Sequence, residues 1–257
     1  MKLTQMKKKE NQMEIHEKNL KRFNMKIYAI SDLHLSGEQI TKPMDIFGSY
    51  VTEYVKELTK NWDAVMEEGD VVLIAGDISW AMYLKDAQDD LDFIGKLRGI
   101  KILLRGNHDY WWKSITGVRA ALHEGTIALQ NDSIRFDGVV ICGTRGWTVP
   151  EPSIEPSAED IKLYNRELER LNISLNSAVK KRQEGDIVIA MIHYPPYNST
   201  LEDSGFTALF KEYKVDKVVY GHLHGQHIQT PLFYEKDDIK YYLTSCDKVN
   251  NTLVRIL

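Results

Sequence analysis

The stretch KILLRGNHDYWWKS, from Lys101 to Ser114, passes within a few residues from an apolar run to Gly-Asn-His-Asp and then to three consecutive aromatic side chains. Its first four residues are too short a run for a helix and are closed by a Gly-Asn pair, which reads as a strand ended by a turn. The same transition recurs along the chain. KIYAIS (26–31) runs into Asp32-Leu33-His34, VVLIAG (71–76) into Asp77, DIVIAMI (186–192) into His193, and KVVYG (217–221) into His222-Leu223-His224. VVICG (139–143) adds a further strand, with weaker ones near 127–130, 133–136, 240–245 and 252–257. The strong runs do not alternate polar with apolar residues, as expected of strands covered on both faces.

Amphipathic stretches lie between the early strands, at about 45–60, 80–97 and 113–124. The clearest helix is 158–183, where Ile161, Tyr164, Leu168, Leu171, Leu175 and Ala178 recur at the spacing of one buried stripe. Ser157 and Asp160 supply its cap and Gly185 its stop. Ahead of it, TVPEPSIEPS (148–157) reads as a surface loop. There is no internal repeat and no second boundary, so the sequence predicts an α/β fold with a single domain over 25–257.

A chain of 257 residues is long enough for a substantial core. Its 43% hydrophobic and 27% charged content is that of a globular protein, and no apolar run approaches the roughly 18 residues of a membrane span. Two cysteines, Cys142 and Cys246, each sit inside an apolar run and read as buried free thiols, which predicts a reducing, cytoplasmic setting. Residues 1–24 carry seven Lys/Arg against three Glu and lack the apolar core of a secretory signal; they read as a polar extension, with the KKK at 7–9 solvated. The rest is acidic, with 26 basic and 34 acidic residues, which argues against nucleic acid as a partner. Bound cations would add positive charge that this count does not see.

Five strands thus end in Asp, His or Asn, three of them introduced by glycine, and strand ends of α/β sheets are where ligand sites assemble. Of eight histidines, His34, His108, His193, His222 and His224 all occupy such ends, together with Asp32, Asp77 and Asn107. One histidine so placed is unremarkable; five in equivalent topological places predict a metal site. Imidazole and carboxylate without thiolate suit Mn, Fe, Zn, Ni or Co better than calcium or a structural zinc.

In chain order, D-x-H (32–34), G-D (76–77), G-N-H-D (106–109), H (193) and G-H-x-H (221–224) resemble the calcineurin-like metallophosphoesterases. That resemblance implies a four-layer αββα sandwich with two central mixed sheets and a two-metal site at the strand ends. It implies one metal on Asp32, His34 and His224, another on Asn107, His193 and His222, and Asp77 bridging both. It further implies a phosphoesterase in which a hydroxide held between the metals attacks phosphorus in line, acting on a monoester or a diester. His108 would protonate the leaving oxygen and Asp109 would orient that imidazole. The alternatives on the same fold are a non-catalytic metal-binding interaction module and a metal-dependent nuclease.

Departures narrow the branch. The Ser/Thr protein phosphatases carry G-D-x-V-D-R-G and G-N-H-E, whereas this chain has GDISWAM (76–82) and GNHD (106–109). These stretches, with KPMDIFG (42–48), resemble a bacterial branch of predicted phosphohydrolases. The expected substrate is a small phosphoester, in one reading nucleotide-like because aromatic residues crowd the site. Arg145 and Trp147 are the substrate-binding candidates. Trp80, Trp111 and Trp112 are expected at helix N-termini, packed on the sheet. Arg105 is expected in a structural ion pair, His227 in packing behind the site, and His16 and His123 outside it.

Overall fold

In the computed structural model, which describes residues 25–37, 54–225 and 230–257, the strand runs assemble into two sheets. The first has the order β11-β1-β2-β3-β4, with β1 Ile27–Ile30, β2 Val71–Ile74, β3 Ile100–Leu104, β4 Thr126–Leu129 and β11 Val254–Arg255. The second has the order β5-β6-β7-β8-β10-β9, with β5 Ser133–Phe136, β6 Val139–Thr144, β7 Ile187–Ile192, β8 Lys217–Tyr220, β9 Phe233–Lys236 and β10 Ile239–Leu243. Both are mixed. The inner strands run parallel, while β11, β5 and β9 pair antiparallel at the edges.

Alternate residues of each inner strand face opposite ways, so a purely apolar strand serves two cores at once. Ile27, Ala29, Val71 and Leu73 meet Ile141, Ile189, Met191 and Val219 between the sheets. Their neighbours Ile30, Val72 and Ile74 turn outward to α1 (Tyr54–Val65), α2 (Gln88–Lys96) and α3 (Ile115–Ala121), which contribute Leu58, Trp62, Leu91, Ile94 and Val118. On the other side, Val140, Val188, Ala190 and Val218 pack against Leu171, Leu175 and Ala178 of α4 (Ala158–Lys181) and Phe206 and Phe210 of α5 (Gly205–Glu212). These three cores make the expected αββα sandwich.

Several boundaries differ from expectation. Helix α2 begins at Gln88 rather than 80, because Trp80 N–H donates to Leu35 O and the Ala81 N–H to Ser79 Oγ, which divert the start of this segment from helical pairing; bends and turns follow up to Gln88. Trp111 and Trp112 lie not in a helix but in the turn before α3, whose N-cap is Ser114; both are buried, as packing residues would be. Ile161, expected in the stripe of α4, is exposed. The hairpin strand β9 was not legible as a strand. Both cysteines are free and buried, and among the described residues no helix is long and apolar enough to cross a membrane. Residues 1–24, the KPMDIFG stretch, His16, His227 and the first part of the expected 45–60 helix lie outside the described residues.

Candidate metal centre

The parallel strands deliver their C-terminal ends to one rim of the sandwich, and the loop after each carries a polar cluster. Backbone pairing locks these loops together: Asp32 N–H donates to Gly76 O at 2.9 Å, and His34 N–H to Asp77 O at 2.9 Å. Gly76 takes φ 94°, and at Gly106 a Cβ would come within 2.1 Å of Asp77 Oδ1. Glycine at these positions therefore allows one loop to lie on the next.

Asp32, His34, Asp77 and His224 each bring one potential ligand atom within 4.8 Å of all the others. Beside them, Asn107 Oδ1 lies 2.7 Å from His193 Nε2 and 2.9 Å from His222 Nδ1. Asp77 joins the two groups, its Oδ2 being 3.7 Å from His34 Nε2 and 3.4 Å from His193 Nε2. Its Oδ1 accepts the His108 amide at 2.8 Å, whereas the buried Oδ2 accepts no hydrogen bond among the described residues.

The donor chemistry fits a cation. His193 Nδ1 lies 2.9 Å from the carbonyl of Ala75, an acceptor, so the proton belongs on Nδ1 and the Nε2 lone pair faces Asn107 Oδ1 and Asp77 Oδ2. With the imidazole neutral, three electron-rich atoms thus converge, and either a second proton on Nε2 or a bound cation must lie between them. Electrostatics repeats the point. Burial would lower the pKa of His193, yet the Asp77 carboxylate outweighs it and raises the pKa to about 9. Burial lowers His34 to about 4 and, helped by the charge of His193, His222 to about 4, so both present neutral imidazole at ordinary pH. Asp77, despite burial, is held well below the usual carboxylate range by His193 and His34.

His108 stands at the rim with its ring centroid 4.8 Å from Trp80 and 5.5 Å from His34. Burial lowers its pKa, against the pull of Asp77. Asp109 does not turn to this ring. Its Oδ1 accepts from Ile78 N, Ser79 N and Trp111 Nε1, and its Oδ2 accepts from Gly106 N at 2.7 Å. The carboxylate therefore ties the β2 and β3 loops together; burial, then the charge of Asp77, raises its pKa to about 6.

The calcineurin-like phosphoesterase family model matches residues 25–226, which covers every one of these clusters. The chain belongs to this family. An uncharacterized protein of Methanocaldococcus jannaschii is 28% identical to it over 168 residues, covering 63% of this chain and 94% of that protein. The fold of this chain is also that of the phosphopantetheinyl hydrolase of Mycobacterium tuberculosis, at TM-score 0.55 and 14% identity over 90% of this chain and 95% of that one. TT1561 of Thermus thermophilus superposes with TM-score 0.55 and 12% identity, over 90% and 98%.

Around these clusters the chain carries side chains that the motifs do not specify. Trp80 stacks on His34 at 4.3 Å and so walls the site rather than packing on the sheet; its place three residues after Asp77 was the available signal. Arg145 lies over the Trp147 ring at 4.9 Å, and Trp147 contacts Tyr194, whose ring is 4.2 Å from His222. A cavity of about 290 Å³ opens beside His222, lined by Tyr194, Tyr197, Thr148, Glu151 and Asn198 among others. His123 pairs with Asp92 at 2.8 Å and belongs to the surface of α2.

Proposed function

We propose that this chain hydrolyses a small phosphomonoester or phosphodiester with two metal ions at the strand-end site. Asp32, His34 and His224 would hold one ion, Asn107, His193 and His222 the other, and Asp77 both. The observation that carries the reading is the convergence of Asp77 Oδ2, His193 Nε2 and Asn107 Oδ1, where a bound cation would replace the proton that Asp77 otherwise holds on His193. Mn, Fe, Zn, Ni or Co, when bound, supplies the charge that makes water nucleophilic at neutral pH and offsets that of the phosphate.

The remaining work falls to the protein. Ala75 O fixes the tautomer of His193, and Asp32 accepts the His222 amide, so ligand directions are set before any ion arrives. His108, outside both ligand sets but held by its amide on Asp77, is placed to give a proton to the leaving oxygen. Trp80 packs against His34 and His108 and excludes water from that side. The cavity beside His222 would take the rest of the ester. Two buried free thiols favour a reducing, cytoplasmic location.

The test joins metal analysis to a substrate screen, with p-nitrophenyl phosphate and bis-p-nitrophenyl phosphate separating monoesterase from diesterase under added manganese. About two ions per chain and hydrolysis of an ester are expected. Fewer ions under replete conditions, with no ester cleaved, would sink the mechanism.

A further inference from the structure

The acidic balance of the body reverses locally beside the site. Glu167 on α4 is fully buried, and one oxygen, Oε1, faces three guanidinium groups: Arg170 at 2.6 Å, Arg166 at 3.5 Å and Arg145 at 3.7 Å. Its other oxygen accepts from Thr144 Oγ1 at 3.0 Å. Arg105, at the end of β3, belongs to the same cluster. Burial lowers its pKa, the charges of Arg145 and Arg170 lower it further, and Asp109 and Glu167 oppose them. The expected ion pair of Arg105 is absent among the described residues, and the Asp109 oxygens are already occupied by three amides and an indole. Three guanidinium groups therefore share the Glu167 carboxylate, and Arg105 has no ion pair among the described residues.

Two of these arginines are shielded at Nε. The Nε atoms of Arg105 and Arg145 are shielded from solvent and make no hydrogen bond among the described residues. The Arg145 side chain is only 16% exposed, against 40% for Arg170 and 46% for Arg166. Shielded, incompletely paired guanidinium groups are costly unless an anion completes them, and their fork matches phosphate oxygens. Both are joined to the site by the backbone. Arg105 precedes Gly106-Asn107, and Arg145 O accepts the amides of His193 at 3.0 Å and Tyr194 at 3.1 Å.

We propose that Arg105 and Arg145 form an anion recess beside the strand-end site which takes a second phosphate group of the substrate. Substrates with two phosphate groups are then preferred over those with one. Two shielded arginines suit one group; a nucleic-acid strand would need a track of exposed cations following its backbone. The neighbouring cavity, which carries Glu151, does not suit an anion. The substrate preference rests on the phosphoesterase reading above, whereas the recess can be tested without it.

Inorganic phosphate titrated calorimetrically into the EDTA-treated protein should bind saturably, and Arg145→Gln or Arg105→Gln should weaken it roughly tenfold or more, as loss of a charge-assisted hydrogen bond would. Circular dichroism checks that each variant folds; should Arg105→Gln fail, Arg145→Gln decides. No binding by the wild type below about 10 mM, or equal binding by the variants, would overturn the recess. With manganese, a nucleoside 3′,5′-bisphosphate should exceed the matching 5′-monophosphate in kcat/KM, and Arg145→Gln should erase that ratio. Equal loss on both substrates would overturn it, placing the arginine on the scissile group; so would preference for a single-stranded oligonucleotide. Phosphate binding that depends on the arginines, in a protein that cleaves no ester, would support the recess and refute the phosphoesterase reading.

Discussion

Asp32, His34, Asp77 and His222 hold left-handed backbone conformations, with φ of 56°, 47°, 52° and 70°. For residues with a Cβ such a conformation costs about 1–2 kcal/mol each and persists only where neighbours enforce it. Here the enforcement is the mutual hydrogen bonding of the loops. The geometry of the proposed ligands therefore belongs to the protein and not to an ion, and roles can be separated by substitution. Asp77→Ala should abolish binding of both ions, read by metal analysis, because its carboxylate faces both ligand groups. His108→Ala should keep the metal content while lowering turnover by roughly 10²–10⁴, the usual worth of a general acid. Equal loss of metal in the two variants would remove His108 from its role. Asp109→Ala should behave differently again, lowering thermal stability by about 3 kcal/mol or more, since it strands buried amides that have no other acceptor. Unchanged stability in Asp109→Ala would contradict its loop-tying contacts.

The elements were legible in proportion to how fully they are buried. β1, β2, β7 and β8 show as apolar runs because both their faces meet a core, and each announces its polar loop by ending abruptly. β9 is half exposed, its FYEK having neither a continuous apolar run nor a clean alternation, and its turn to β10 is Asp237-Asp238 rather than Asn-Gly. Both turn residues have positive φ, 52° and 63°, as a type I′ hairpin requires. Asp238→Gly should therefore stabilise the protein by about 0.5–1 kcal/mol, seen as a rise in Tm. A lower Tm would mean that the Asp238 side chain contributes more than its backbone costs. The start of α2 departs from the periodicity because long-range pairing of Trp80 with Leu35 overrides it. Side-chain partners were the least legible. Gly-Asn-His-Asp located one of the strand-end clusters, but no spacing rule says that Asp109 would bond to loop amides in preference to the neighbouring imidazole, nor that Trp80 would cover His34.

At the scale of the molecule, the domain repeats one arrangement on two sheets and joins them at a rim. Deletion of residues 1–24 is expected to leave Tm and activity nearly unchanged, because the family match begins at residue 25 and β1 at Ile27. A large fall in either would assign the segment a role. Each proposed ion also draws ligands from both sheets: Asp32 and His34 lie beyond β1 while His224 lies beyond β8, and Asn107 follows β3 while His193 follows β7 and His222 follows β8. Every bound ion would thus act as a rivet through the seam of the sandwich. Chelation should accordingly speed hydrogen–deuterium exchange at the far ends of β1, β3, β7 and β8 together, leaving α4 protected; exchange that changes in one sheet alone would separate the two halves mechanically. On this view the rivets would set how far the rim can gape, and so how bulky an ester can enter or leave.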